Sequence, residues 1–408
     1  MKDVRFVFLH CGAFDTTVFD SQVVDSIVAL REFGILFDLC VLLSAGELAR
    51  DRALLRRRKM EISERIAGRV SVYPTPWKRR RLGDAISVAA LLAELVSHRA
   101  PRTVVHARGD LAAAYSVVAR RGWSRLRTVY DIRGDAAAEF AHFARMDRAA
   151  AATVDRDLAH IDWECRTAFD GASHVFAVSE VLRDRMASRY GVSHDRFTVI
   201  PCVADERKFH TDEVERKRTR AEEGFGDRFV VLYPGRFGRW HWGPEMIRIV
   251  KAMMDADPAV FFLVLTPDIT EATSLASAGL PEGRFAVRTA AHSEVPRLMR
   301  AADLGLLLRE PDPLNEVACP TKFAEYMMCG LPVLISRGIG DCTAFVEKHG
   351  SGVVLDGEDA ARAVEALRFL RAEDPVARRE RLASAARVFS RQRAAARMAG
   401  IYHAVADS

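Results

Sequence analysis

Short apolar runs rich in β-branched and aromatic residues recur along the chain, separated by longer stretches of helical periodicity. In the first half they are Val4–Leu9, Phe37–Leu43, Val70–Tyr73, Thr103–His106, Thr128–Asp131, His174–Val178 and Phe197–Ile200. In the second half they are Phe229–Tyr233, Val260–Leu265, Phe285–Thr289, Leu304–Leu308, Pro332–Ile335 and Gly352–Leu355. Several are apolar at consecutive positions, as in parallel strands covered by helices on both faces. The alternation predicts an α/β fold with two Rossmann-like, doubly wound parallel-sheet domains. Between Pro201 and Asp227 an apolar run gives way to a polar, charge-dense segment, so residues 1–202 and 203–384 are expected as the two domains. The tail from Pro375 to Ala404 reads as amphipathic helix with Leu382, Ala385, Val388 and Phe389 on one stripe, and residues 385–408 are expected to cross back to the first domain. Ligands bind beyond the carboxyl ends of parallel strands, so two such domains facing each other would enclose a cleft lined by residues just past the strands.

Composition narrows the class. A chain of 408 residues exceeds one ordinary core, and 49% hydrophobic with 28% charged residues is a globular balance. A net charge of +5 suits anionic ligands but not nucleic acid, which calls for a concentrated basic stripe and a recognisable module. Seven cysteines, an odd number without a two-residue gap between any pair, fit free thiols in a reducing cytoplasm. The opening segment has only a strand-length apolar run, and no run is long enough to span a bilayer, so a cytoplasmic protein is expected. The clusters Arg56-Arg57-Arg58 and Arg79-Arg80-Arg81, the latter beside Trp77 and Lys78, suit peripheral contact with anionic lipid on the cytoplasmic face. A solvated helix face and a charged loop is the plainer reading.

Chemistry concentrates in two stretches of the second half. After Phe229–Tyr233 comes "PGRFGRWHWGPEM", which places Arg236 at a strand exit where a guanidinium can make paired hydrogen bonds to phosphate. Further on, "NEVACPTKFAEYMMCGLPVLI" reads as a helix of about ten residues, with Pro320 as its first residue and Gly330 as its left-handed stop. Its free N–H groups and partial positive charge at Pro320 and Thr321 suit a diphosphate. Lys322 lies in the first turn, and Glu325 falls on a neighbouring face where a carboxylate can accept from ribose hydroxyls. An ordinary i, i+3 ion pair is the alternative for these two residues.

These two stretches, in this order, resemble the donor domain of the retaining glycosyltransferases of family 4, whose two-domain architecture is called GT-B. The resemblance implies a nucleotide-sugar donor, with Arg236 on the diphosphate and Glu325 on the ribose. Where the family usually has a lysine before a glycine, this chain has Trp242 before Gly243; of the family's paired glutamates the earlier position is Val317, with Glu316 one residue off. Lys322, helped by Arg239, is read as supplying the missing charge. The resemblance also implies retention of configuration, no metal and no cofactor.

In the first half, Gly12 follows a strand where backbone can approach a ligand, so it is grouped with the donor site. His106 with Arg108, and Asp131 with Arg133 and Glu139, end two further strands. The resemblance implies that these loops face the acceptor and the transferred sugar, with His106 joining Arg236 and Lys322 as a catalytic candidate. A hydrogen-bonded histidine without chemistry and a loop salt bridge are the alternatives. The pairs Asp155/Asp157 and Asp255/Asp257 have metal-site spacing but read as solvated helix faces. No dinucleotide fingerprint, P-loop, zinc-protease helix or nucleophile elbow is present. The expected activity is transfer of a sugar from a nucleotide diphosphate to a glycan or lipid-linked acceptor. Two alternatives share the architecture: a nucleotide-sugar epimerase or hydrolase, and a non-catalytic nucleotide-sugar-binding protein.

Overall fold

The computed structural model describes residues 4–50, 52–75, 80–98, 100–146, 151–237 and 241–408. Arg79, with Trp77 and Lys78, and Arg239 lie outside the described residues. The chain divides into two compact units, one of Met1–Pro201 with Gln392–Ser408 and one of Cys202–Arg391.

The first unit holds seven parallel strands: β1 (Val4–Cys11), β2 (Phe37–Ser44), β3 (Val70–Thr75), β4 (Arg102–Arg108), β5 (Leu126–Ile132), β6 (His174–Ala177) and β7 (Phe197–Val199). Their order is β3-β2-β1-β4-β5-β6-β7. The second unit holds six: β8 (Phe229–Pro234), β9 (Val260–Leu265), β10 (Phe285–Arg288), β11 (Leu304–Leu307), β12 (Val333–Ser336) and β13 (Gly352–Leu355), in the order β10-β9-β8-β11-β12-β13. Every ladder is parallel. All thirteen apolar runs of the sequence therefore form strands, with ends within two residues of those expected. The fold is α/β and doubly wound in both units.

Strand order reverses between β1 and β4 and again between β8 and β11. At such a switch point the loops leave in opposite directions and open a crevice at the carboxyl ends of the strands. In the second unit the period of two along β8 divides its side chains between two cores. Val230 and Leu232 face a layer that includes Phe323, Tyr326 and Met327, whereas Phe229, Val231 and Tyr233 face Met246, Val250 and Met253. The helix Gly243–Ala256, started by Pro244, presents Met246, Ile249, Val250 and Met253 at helical spacing to that second face.

The tail departs from one continuous helix. Pro375–Ala385 and Arg391–Asp407 are separate helices joined by a 3₁₀ turn at Ala386–Phe389. The tighter turn breaks the stripe: Leu382 and Phe389 are buried, but Val388 is exposed. The last helix docks on the first unit through Tyr402, whose ring lies 5.4 Å from Phe37, 5.8 Å from Phe176 and 6.0 Å from Phe6. Arg102 Nη1 also donates to the Ala406 carbonyl at 2.8 Å.

In β11, Gly305 lies flat under the Tyr326 ring, and a Cβ there would stand 2.9 Å from three ring atoms. Gly305→Ala is expected to cost about 1–3 kcal/mol by overpacking. A lower urea midpoint with unchanged m-value would show it; an unchanged midpoint would mean that the ring is not seated there.

Candidate functional site

The helix Thr321–Met328 carries the candidate donor residues. Pro320 is its N-cap rather than its first residue: with φ −66° and ψ 128° it is extended, and its carbonyl accepts the Phe323 N–H at 3.0 Å. The helix is correspondingly shorter than expected, at eight residues. Gly330 ends it at φ +64°, and the Leu331 N–H returns to the Tyr326 carbonyl at 2.9 Å, closing the last turn. Phe323 and Tyr326 point into the core, and the Tyr326 hydroxyl donates to the Leu306 carbonyl at 3.1 Å. That packing leaves Thr321, Lys322 and Glu325 on the outer side, each partly buried.

Lys322 reaches the exit of β8. Its ammonium lies 4.1 Å from the centroid of the Tyr233 ring, a cation–π contact. At Gly235, with φ +129°, a Cβ would stand 2.9 Å from Lys322 Nζ, so only glycine admits both the turn and the lysine. Burial, with Arg309 nearby, pulls the lysine down to about 7 against the attraction of Glu325. Burial pushes the Glu325 carboxyl up to about 7, against Lys322 and Arg391. No salt bridge forms at either group among the described residues.

Arg236 is turned elsewhere. It leaves β8 beside Gly235, but its Nη1 pairs with Asp268 beyond β9 at 2.7 Å, and its side chain is 72% exposed. Asp268 also accepts the Phe237 N–H at 3.0 Å, and the Tyr233 hydroxyl donates to the Arg236 carbonyl at 2.5 Å, so the loop is held at both ends. The cation that Lys322 senses is Arg309, just past β11. His241 joins them: burial, with Lys322 and Arg309, lowers its imidazole to about 3. Sequence reading missed Arg309 and His241, although the strand-exit rule that picked Arg236 applies equally to Arg309.

In the first unit Gly12 leaves β1 at φ +151°. Asp131, at the end of β5, lies 3.2 Å from Arg108, 3.4 Å from Arg133 and 3.4 Å from His106 Nε2. Burial opposes its ionisation, but Arg133, His106 and Arg108 together hold it well below the usual carboxylate range. The expectation of a catalytic His106 needs correcting. The ring is 1% exposed, stacks 4.2 Å from Phe8, and has its Nδ1 2.7 Å from the Tyr402 hydroxyl. Burial lowers its pKa, and the ring sits in the core with Nε2 3.4 Å from Asp131, away from the exposed strand-exit surface where a catalytic group was expected. Glu139 is exposed in the first turn of the helix Ala136–Met146.

The basic cluster at residues 56–58 is not uniform. Arg58 is 11% exposed and is bonded to Asp20 and Glu61, which removes it from any lipid-facing set, while Arg56, Arg57, Arg80 and Arg81 are exposed. No helix among the described residues is long and apolar enough to cross a membrane. Of the aspartate pairs, Asp157 binds Arg156, Asp255 binds Lys251 and Asp257 binds Arg371, and no group of three potential metal ligands occurs among the described residues.

Residues 23–208 match the family described as Glycosyltransferase Family 4, and residues 215–389 match Glycosyl transferases group 1. Over 226 residues the chain is 28% identical to D-inositol 3-phosphate glycosyltransferase 1 of Catenulispora acidiphila, covering 50% of this chain and 52% of that protein. The chain thus spans about half the length of the curated relative it matches. The Anabaena protein HepE, solved in complex with UDP, shares the fold at 17% identity and a TM-score of 0.72, over 98% of this chain and all (100%) of that one. WaaG, a glycosyltransferase involved in lipopolysaccharide biosynthesis, does so at 16% identity and a TM-score of 0.66, over 97% and 99%.

A carboxyl raised from 4.5 to about 7 binds more protons folded than unfolded across that window. The stability it contributes is therefore complete below 4.5 and lost as pH rises through 7. Glu325→Gln should accordingly gain in Tm relative to wild type between pH 4 and pH 8. Thermal melts in which the difference stays flat with pH would refute the burial of this carboxyl.

Proposed function

The chain belongs to the glycosyltransferases of family 4 and group 1, and we propose that it transfers a sugar from a nucleoside diphosphate donor held by the second unit. The observation that carries this reading is the Lys322 ammonium, set at the opening turn of a helix beside the β8–β11 switch point, with no salt-bridge partner among the described residues. An unpaired cation beside free helix N–H groups has its electrostatic complement in a phosphate. The likeness to HepE, solved with UDP and with UDP-glucose, agrees in fold with such a donor.

As the glycosidic C–O bond breaks, negative charge grows on the departing diphosphate. Lys322 and the N–H groups of Thr321 and Lys322 stabilise it in place, with Arg236 swinging from Asp268 to join them; preorganised groups of this kind contribute several kcal/mol, on the order of 3 per donor. Glu325 accepts hydrogen bonds from the ribose hydroxyls, and binding beside them favours its ionised form. We assign retention of configuration, with the departing phosphate oxygen taking the proton of the attacking acceptor hydroxyl on the same face of the sugar. No covalent nucleophile and no metal ion enter this scheme. The acceptor, a glycan or a lipid-linked sugar, is assigned to the loops that carry Arg108, Arg133 and Glu139, and the exposed arginines at 56–57 and 80–81 provide peripheral contact with anionic lipid.

Lys322→Ala, Arg236→Ala and Glu325→Ala should each lower transfer about tenfold or more with the far-ultraviolet spectrum unchanged. Wild-type rates in all three variants would remove the donor-site assignment. Transfer should survive EDTA; activity lost on chelation and restored by Mn²⁺ would instead place a metal in the reaction.

A further inference from the structure

Arg309 stands two residues past β11, directly across the switch point from Gly235. Its backbone N–H donates to Ser336 Oγ at the end of β12 at 2.9 Å, which fixes where the side chain begins. Its Nη1 donates to Asn315 Oδ1 at 2.9 Å, and the buried Asn315 is itself held through Nδ2 to the Glu310 carbonyl at 2.8 Å. The guanidinium is therefore oriented by a neutral amide. Among the described residues it makes no salt bridge, and its Nε is enclosed without a hydrogen-bond partner.

A guanidinium taken out of water without a counter-ion is costly, and a second cation nearby adds to the cost. Burial lowers the pKa of Arg309, and Lys322 and His241 each sense it. Arg309 past β11 and Lys322 in the helix Thr321–Met328 thus lie close enough to sense each other, whereas Arg236 just past β8 has a carboxylate and open solvent. Such an arrangement is stable in use when an anion supplies the missing charge. A planar fork, with one edge already fixed by Asn315, has its remaining N–H groups free for two oxygens, a geometry that suits phosphate better than an ammonium does.

On the donor reading above, we infer that Arg309 is a diphosphate-binding residue of this site, paired with Lys322 across the switch point and oriented by Asn315. Lys322 supplies a point charge and Arg309 the directional contacts, so the two together favour a diphosphate over a monophosphate.

The test measures binding of UDP, GDP, ADP and TDP to the full chain by titration calorimetry, then compares the tightest binder with its monophosphate. Arg309→Gln should weaken the diphosphate about tenfold or more and collapse the diphosphate-to-monophosphate affinity ratio, while Arg309→Lys restores part of it. A ratio unchanged in Arg309→Gln overturns the assignment while leaving the donor reading intact; failure of the wild-type chain to bind any of the four sinks both. Should the glutamine variant not fold, phenylglyoxal labelling of the wild-type chain decides the matter. Saturating diphosphate must shield Arg309 from the reagent more than the monophosphate does, and equal labelling with either overturns the inference.

Discussion

Close packing of Tyr326 on Gly305 sets the position of everything that follows in the second unit. The ring can lie against β11 only because that strand offers a bare Cα, and its hydroxyl bonds to the β11 backbone. A helix of eight residues has little stability of its own and takes its place from this contact and from Phe323 beneath it. Once the ring is seated, helical geometry carries Lys322 to the exit of β8. There Gly235 leaves room for the ammonium, and the Tyr233 ring supplies a face for it.

The electrostatics of the two units differ in kind. In the first, the cations have a carboxylate partner: Asp131 lies against Arg108, Arg133 and the buried His106. In the second, Lys322 and Arg309 stand close together, with the nearby carboxylate of Glu325 raised by burial and forming no salt bridge among the described residues. A matched cluster stabilises a fold, whereas an unmatched one holds free energy that a bound anion can recover.

His106 illustrates how a strand-end position differs from a strand-exit position. Its register partner on β1 is Phe8, well inside the sheet, and the Tyr402 hydroxyl from the last helix closes over its other nitrogen. The histidine lies between the Tyr402 hydroxyl and the Asp131 carboxylate. The C-terminal helix is thereby joined to the same polar group that orders the loops after β4 and β5 in the first unit.

The chain's own pattern determined the strands, the α/β class, the charged passage between the units and the glycine that stops the helix after Met328, because each depends on residues adjacent in sequence. A period of two or of 3.6 is visible without knowing what packs against it. Which cations meet was decided only by tertiary structure. Arg236 and Arg309 follow strands of the same sheet, yet strand order gave Arg236 to Asp268 beyond β9 and Arg309 to the shared space with Lys322. In the same way Arg58 was taken up by Asp20, and Val388 was turned outward by a 3₁₀ step. Pairing of charges depends on distances between segments far apart in sequence, and those distances exist only once the strand order is set.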